Sequence, residues 1–403
     1  MTSVEQHLEL VLAQCAPLAP RFVPLRKARG YVLAEAVAAR HPLPPFDNAA
    51  MDGYAVRAAD LADASPERPA RLRIVADVPA GSALDPVLAP GEAARIMTGA
   101  ALPTDADAVV PLEDTAPGRA FPACGDVAIE RPAAAGSHVR HAGEEVRAGD
   151  PLLPAPLLLA PRHLAAAAAA GHDELLVHPT PRVAVLATGD ELVAPGGALG
   201  RGQLSESNSI LLAALVEAAG GVVARVGVVG DEPEALRARV ADVRESVDVI
   251  VLTGGVGPGA YDVVRAAFGA VLDFHDVAMQ PGRPQAFGRL PGGPPVLGLP
   301  GNPVAAAVSF EVFVRPALAR LRGLGAERRT FPAIAGAGWR ARPGRQQYLP
   351  VVCDGELVRP ASADRSHHVA GLARADGYAV VPPEVEEVRA GDRVAVLRAT
   401  GDG

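Results

Sequence analysis

Between residues 181 and 325 the chain alternates strand-like apolar runs with helix-length spacers, and that rhythm restricts the fold more than any other feature. "RVAVLATGDEL" reads as a buried strand ending in a polar turn. "NSILLAALVEAAGG" reads as a helix, with Asn208 as its N-cap and Gly220 and Gly221 as its stop. "VVARVGVVGD" is a strand, "EPEALRARVADVRES" a helix with Pro233 in its first turn, and "VDVIVLTGG" a strand again. The alternation runs on through "PVLGLPGNPVAAAVSFEVFVRPAL". Such a pattern predicts a doubly wound, mostly parallel sheet with helices on both faces.

The rest of the 403 residues reads differently. "MTSVEQHLELVLAQ" is an amphipathic helix and not a signal peptide, and "GYVLAEAVAA" is a short strand or helix. From about 45 to 139, short apolar runs such as "RLRIVADV" and "DAVVPLE" are spaced by Gly and Pro, as in a small all-β module. An extended piece and an alanine-rich helix ending at Gly171 follow, and short β runs return after about 325, suggesting a small barrel or sheet. The expected division is 1–44 with 140–180, an inserted β domain at 45–139, an α/β domain at 181–325 and a C-terminal β domain at 326–403.

Net charge is −8, which argues against a nucleic-acid coat or a membrane-surface protein, since both need basic faces. "PLLPAPLLLAPRHLAAAAAAG" is interrupted by Pro154, Pro156, Pro161, Arg162 and His163, so it will not span a bilayer. Cys15, Cys124 and Cys353 are scattered and form no CxxC, which reads as reduced thiols and a cytoplasmic protein.

Ligands of an open parallel sheet bind beyond the carboxyl ends of its strands, and three such ends carry unusual loops. "ATGDELV" places Thr188, Gly189, Asp190 and Glu191 after one strand. "LTGGVGPGAYD" follows another with Thr253, Gly254, Gly255 and Gly257, then Asp262. "LGLPGNPVAAAVSF" ends a third in Pro300, Gly301, Asn302 and Pro303, with Asn302 able to cap the next helix and Pro303 in its first position. Glycines let backbone N–H groups approach a ligand, and helix N-termini attract anions. Carboxylates at the same edge would repel a phosphate unless a divalent cation bridges them, so the combination points to a phosphorylated ligand held with Mg²⁺. Taken singly, "TGG" is common in tight turns, "GDEL" fits a helix start and "LPGNP" fits a rigid turn. Arg283, in "QPGRP", either clamps a phosphate or is a solvated surface arginine. There is no P-loop, no GxGxxG after a strand and no G-x-S-x-G elbow. The histidines, among them His138, His141, His275, His367 and His368, show no metal-ligand spacing with cysteine, and the last two read as surface loop.

"PPFDNAAMDGYAV", "RIMTGAALPTDADAVVPLED", "LATGDEL", "GVVGDEPEAL", "LTGGVGPGAYD" and "LGLPGNPVAAAVSF" resemble, in order and spacing, the MoeA family of molybdopterin molybdenumtransferases, to which the gephyrin E domain belongs. The resemblance runs from about residue 5 to 398. It implies a multidomain α/β protein with a central MogA-like sheet domain, assembled as an elongated homodimer whose cleft draws on both chains. It implies insertion of molybdenum from molybdate into adenylylated molybdopterin, with release of AMP and assistance by Mg²⁺. It also implies transient contact with the molybdopterin adenylyltransferase and acceptor molybdoenzymes. Residue by residue, the family's functional positions fall on Asp47, Thr98, Arg140, Glu191, Asp231, Asp262, Pro300, Pro303 and Ser366. The loop carrying Asp47 and Asp52 would complete the metal and molybdate site of the partner subunit. Glu191, Asp231 and Asp262 are the hard oxygen donors suited to Mg²⁺, directly or through water.

The chain departs from the family's pattern at several places. Gln280 and Arg283 stand where lysines are usual, His141 and Glu145 alter "RRxGED", Gly257 removes a hydroxyl, and Glu206 replaces an aspartate. Two other readings compete: a non-catalytic pterin-binding or scaffolding paralogue, and a nucleotide pyrophosphatase sharing only the sheet domain, as in the CinA family. Retention of Glu191, Asp231 and Asp262 counts against the first. The FDNAAMDGY module and the C-terminal β region count against the second.

Overall fold

A computed structural model of the chain describes residues 1–116, 121–257, 259, 262–362 and 367–399. Its central sheet runs in the order Val222–Val229, Arg182–Thr188, Val249–Thr253, Pro295–Leu299, Pro284–Arg289, Leu272–Asp276. The first four strands are parallel. The last two run antiparallel to their neighbours, because the short connections before and after Pro284–Arg289 leave no length for a helical crossover. Alternate residues of the central strands serve two cores. Val183, Val185, Val249 and Val251 pack with Leu212 and Val308 on one face. Ala184, Leu186, Ile250 and Leu252 pack with Leu236 and Val240 on the other, as expected for a sheet covered on both sides.

The helix Asn208–Ala218 departs from expectation at its start: Ser207 occupies the N-cap and Asn208 is the first helical residue. The Glu206 carboxylate, buried, takes over the capping by accepting the Ser209 backbone N–H at 2.7 Å and its hydroxyl at 2.6 Å. Pro233 opens the helix Pro233–Val243, and Asn302 and Pro303 take the N-cap and first position of Pro303–Ser309, as the sequence suggests. That last helix continues through a π-helical segment, Phe310–Val314, into Arg315–Leu321. Within it, fully buried Glu311 accepts hydrogen bonds from Arg315 at 2.7 and 2.8 Å and from Arg328 at 2.7 Å.

The helix Val4–Ala13 begins with a Ser3/Gln6 capping box and packs on Arg315–Leu321, and Thr2 bridges to Val277. "GYVLAEAVAA" forms two short strands, Val32–Leu33 and Val37–Ala38. Residues 53–129 contribute a six-stranded sheet in which Gly53–Val56 lies between Ala108–Pro111 and Glu92–Ile96. Gly53 is required there, since a Cβ would sit 2.0 Å from the Val110 carbonyl oxygen. Tyr54, next along, is fully buried and donates its hydroxyl to the Pro122 carbonyl at 3.1 Å. In the C-terminal region five strands close into a barrel: Gln346–Asp354, Leu357–Pro360, Thr330–Ala335, Arg393–Arg398 and Gly377–Val381, which pairs back onto the first. No helix among the described residues is long and apolar enough to cross a membrane.

Candidate active site

The three loops singled out in the sequence meet at one edge of the central sheet. Their strands end at Thr188, Thr253 and Leu299 and lie side by side, so the residues that follow line a single open cleft of about 740 Å³. Hydrogen bonds lace the loops together. The Asn208 amide donates to Thr253 Oγ1 at 3.2 Å and to the Gly301 carbonyl at 2.7 Å. Thr253 Oγ1 donates to the Pro300 carbonyl at 3.0 Å, and Thr188 Oγ1 reaches the Thr253 carbonyl at 3.5 Å. Gly254, at a φ of +94°, lets this crossing happen: a Cβ would lie 2.7 Å from the Thr188 carbonyl oxygen.

Most of the sequence-predicted site residues line this cleft: Thr188, Gly189, Glu191, Asp231, Thr253, Gly254, Gly255, Gly257, Asp262 and the run 300–303. Asp190 does not, and instead ties two strand ends together. Its N–H donates to Asp231 Oδ2 at 3.3 Å, and the Asp231 N–H donates to Asp190 Oδ1 at 3.1 Å. "GDEL" is not a helix start, because Leu192–Val193 forms a short strand against Leu204–Ser205. Asp262 accepts the Gly259 N–H at the start of the helix Val263–Phe268. The Glu191 backbone carbonyl accepts the Leu204 N–H at 2.8 Å, while its carboxylate has no hydrogen-bond or ion-pair partner among the described residues. Arg283 is not in the lining, although Pro284 is; its guanidinium pairs with Asp276 at 3.4 Å. Ser366 lies outside the described residues.

A second cluster gathers the remaining predictions. Asp47 accepts the Ala142 N–H at 2.7 Å on one oxygen and faces His141 Nδ1 at 3.1 Å on the other. Asp52 accepts both the N–H and the hydroxyl of Thr98, each at 2.7 Å. Arg140 pairs through its backbone with Asn48, beside Asp47. These contacts hold both carboxyls below the usual carboxylate range: the Ala142 N–H first and His141 second for Asp47, the Thr98 N–H and hydroxyl for Asp52. None of Asp47, Asp52, Thr98 or Arg140 lines the sheet-edge cleft of the same chain.

Among the lining residues that the sequence does not assign to the site, three carry ligand-capable side chains of particular interest. From sequence, Glu206 stands out only as a departure from the family pattern, Asn208 reads as a cap and His367 as surface loop; in the folded chain all three line the cleft, His367 together with Val369. Asn208 had a positional signal, since a polar residue at a helix start facing the loops can bond to them. His367 had none, because it comes from the C-terminal region and only tertiary packing brings it there.

The donor chemistry fits Mg²⁺. No three His, Cys, Asp or Glu side chains among the described residues form a ready-made metal cage. Mg²⁺ does not require one, for it is usually held by one or two carboxylates, waters and substrate phosphates. Glu191, Asp231 and Asp262, all in the cleft lining, are hard oxygen donors of that kind.

Three family profiles match the chain: the MoeA N-terminal region (domain I and II) over residues 2–171, a probable molybdopterin binding domain over 184–320, and the MoeA C-terminal region (domain IV) over 332–398. The molybdopterin molybdenumtransferase 2 of Mycobacterium tuberculosis is 42% identical over 411 residues, covering 99% of this chain and 100% of that protein. The molybdopterin molybdenumtransferase of a Nostoc species is 40% identical over 309 residues, covering 75% of this chain and 69% of that one. A solved structure, the molybdopterin biosynthesis MoeA protein of Pyrococcus horikoshii, superposes with a TM-score of 0.86 at 32% identity over 100% of both chains. The loops, the sheet order and these full-length similarities agree: the chain belongs to the MoeA family of molybdopterin molybdenumtransferases, enzymes of molybdenum cofactor biosynthesis.

Proposed function

We propose that this enzyme transfers molybdenum from molybdate to adenylylated molybdopterin and releases AMP with the assistance of Mg²⁺. The observation that carries the reading is the convergence, at one sheet edge, of a glycine-rich turn, a helix start at Asn302 and three carboxylates. Backbone N–H groups of the 253–257 turn and the start of the Pro303–Ser309 helix suit the phosphates of such a substrate. The interlaced loops hold these groups in fixed relative positions, so the phosphoanhydride would be oriented for attack at phosphorus by a water or molybdate oxygen, the new P–O bond forming as the bond to AMP breaks. Glu191, Asp231 and Asp262 would hold Mg²⁺ with the substrate oxygens; when bound, the ion neutralises charge on the leaving phosphate. No protein nucleophile is required.

The active unit in this proposal is a homodimer. The second cluster carries the family's functional positions Asp47 and Thr98 yet lies off the cleft of its own chain. Its loop also exposes Phe46 and Met51. The edge strand Val222–Val229 pairs on one side only and leaves Val222, Val226 and Val228 about half exposed. A second copy covering apolar surface of this kind would carry the Asp47 loop into its partner's cleft. The three cysteines are free, in keeping with a cytoplasmic enzyme that receives substrate from an adenylyltransferase and passes product to acceptor molybdoenzymes.

The test is AMP release from adenylylated molybdopterin by the purified protein with Mg²⁺, with and without molybdate. Molybdate-dependent release is the expected result. Release indifferent to molybdate would replace the transferase by a hydrolase, and pterin binding without release would replace it by a carrier.

A further inference from the structure

The ionisable side chains that line the cleft are unbalanced. Glu191, Glu206, Asp231 and Asp262 are all carboxylates, and among the described residues neither lysine nor arginine lines the cleft. Any tetrahedral oxyanion entering it, whether free molybdate or a phosphate of the substrate, meets like charge. Arg283, the cation next in sequence to lining Pro284, is drawn to Asp276 instead. His367 is the one basic side chain among the described residues that does line the cleft. Its ring meets the neighbouring His368 edge to face at 4.7 Å, a contact that orients it, and its nitrogens have no hydrogen-bond partner among the described residues. Imidazole keeps at least one N–H donor in either protonation state.

We infer that His367 is a substrate-binding residue in this enzyme, donating a ring N–H to a tetrahedral oxyanion in the sheet-edge cleft. The inference rests on the reading of the cleft given under Proposed function. It assigns to the C-terminal region a donor that compensates for Gln280 and for the diversion of Arg283. A hydrogen bond to an ionised acceptor contributes about 1.5–3 kcal/mol, so its loss is worth about tenfold or more in affinity.

The experiment is calorimetric titration of the full-length protein, at fixed Mg²⁺, with inorganic molybdate in one arm and AMP in the other. Wild type, His367→Ala and His367→Gln are compared. His367→Ala is expected to weaken one probe by about tenfold or more, while His367→Gln, which keeps an N–H donor, stays within about threefold of wild type. Loss confined to molybdate identifies the free oxyanion as the ligand; loss confined to AMP identifies the phosphate. Wild-type binding of both probes by a folded His367→Ala protein overturns the inference, as does a wild type that binds neither. If AMP release is molybdate-dependent and the alanine variant binds normally, the inference alone fails. If the wild type releases no AMP yet the alanine variant loses a probe, the function fails and the anion donor stands.

Discussion

The acid loop at residues 44–56 and the edge of the central sheet both gather carboxylates, and they engage them differently. Both Asp47 oxygens are engaged, by the Ala142 N–H and by His141, and Asp52 Oδ1 accepts twice from Thr98. Glu191 in the cleft has no such partner among the described residues, and Glu206 in the same cleft is fully engaged by Ser209. An acid in a motif is therefore not informative by its type alone. What separates a carboxylate that builds a loop from one that can receive a ligand is whether its lone pairs are already satisfied by the fold.

The contrast can be broken by substitution, and the largest effect is expected at the most engaged carboxylate of all. Glu311→Ala leaves the buried Arg315 guanidinium without its carboxylate and should cost about 3–5 kcal/mol of stability, read by denaturant unfolding. A loss under about 1 kcal/mol would mean that burial and pairing do not set the cost here. Next come Glu191→Gln and Asp262→Asn, which should lower turnover by about 10²–10³-fold while the thermal midpoint stays put. Normal turnover by either folded variant would remove that residue from the site. Asp52→Ala should do the reverse within its own chain. Removing the acceptor of two Thr98 hydrogen bonds weakens the loop by about 1 kcal/mol, visible as faster amide exchange over 47–52 and 98–102.

Acid sharpens the same comparison. The folded-state carboxyls of Asp47 and Asp52 titrate below their unfolded range, so their contribution to the loop is present above about pH 4 and is lost as pH falls below it. Amide exchange of the loop should therefore rise between about pH 4 and pH 2 before the central sheet opens; simultaneous opening of both would refute the assignment. The smallest effect is expected for Gln280→Lys, which leaves turnover unchanged or raises it. A fall would show that Gln280 makes a contact of its own.

The central sheet was legible because its strands are buried on both faces and its helices are punctuated by Pro233, Gly220 and Pro303. The antiparallel turn of its last two strands was not, since an apolar run such as "QAFGRL" carries no sign of direction. At the cleft, loops at strand ends could be read because the edge of a parallel sheet collects them. Asn208 was placed on the right helix and given the wrong task, because capping is a local property and the pull of Thr253 and Gly301 is not. The Asp47 and Asp52 loop announced itself by composition, yet nothing in "PPFDNAAMDGYAV" tells which segments fill its carboxylates. His367 was wholly illegible for the same reason: it reaches the cleft from 114 positions beyond Thr253 (367 − 253).

The helix Val4–Ala13 has a consequence for how the chain comes into being. Its apolar face, Val4 and Val11, is buried in a core shared with Phe313 and Leu318, and Gln14 accepts a hydrogen bond from Arg289, 275 positions later. On the ribosome that helix emerges long before its seat, which lies among the last segments of the central domain. For most of synthesis it is an amphipathic segment without a partner, which a chaperone could shield or a neighbouring nascent chain could capture. Completion of the helix Arg315–Leu321, after the last strand of the sheet, is thus the moment at which Val4–Ala13 is fastened to the central domain, and a chain cut before residue 315 would leave that helix without its seat.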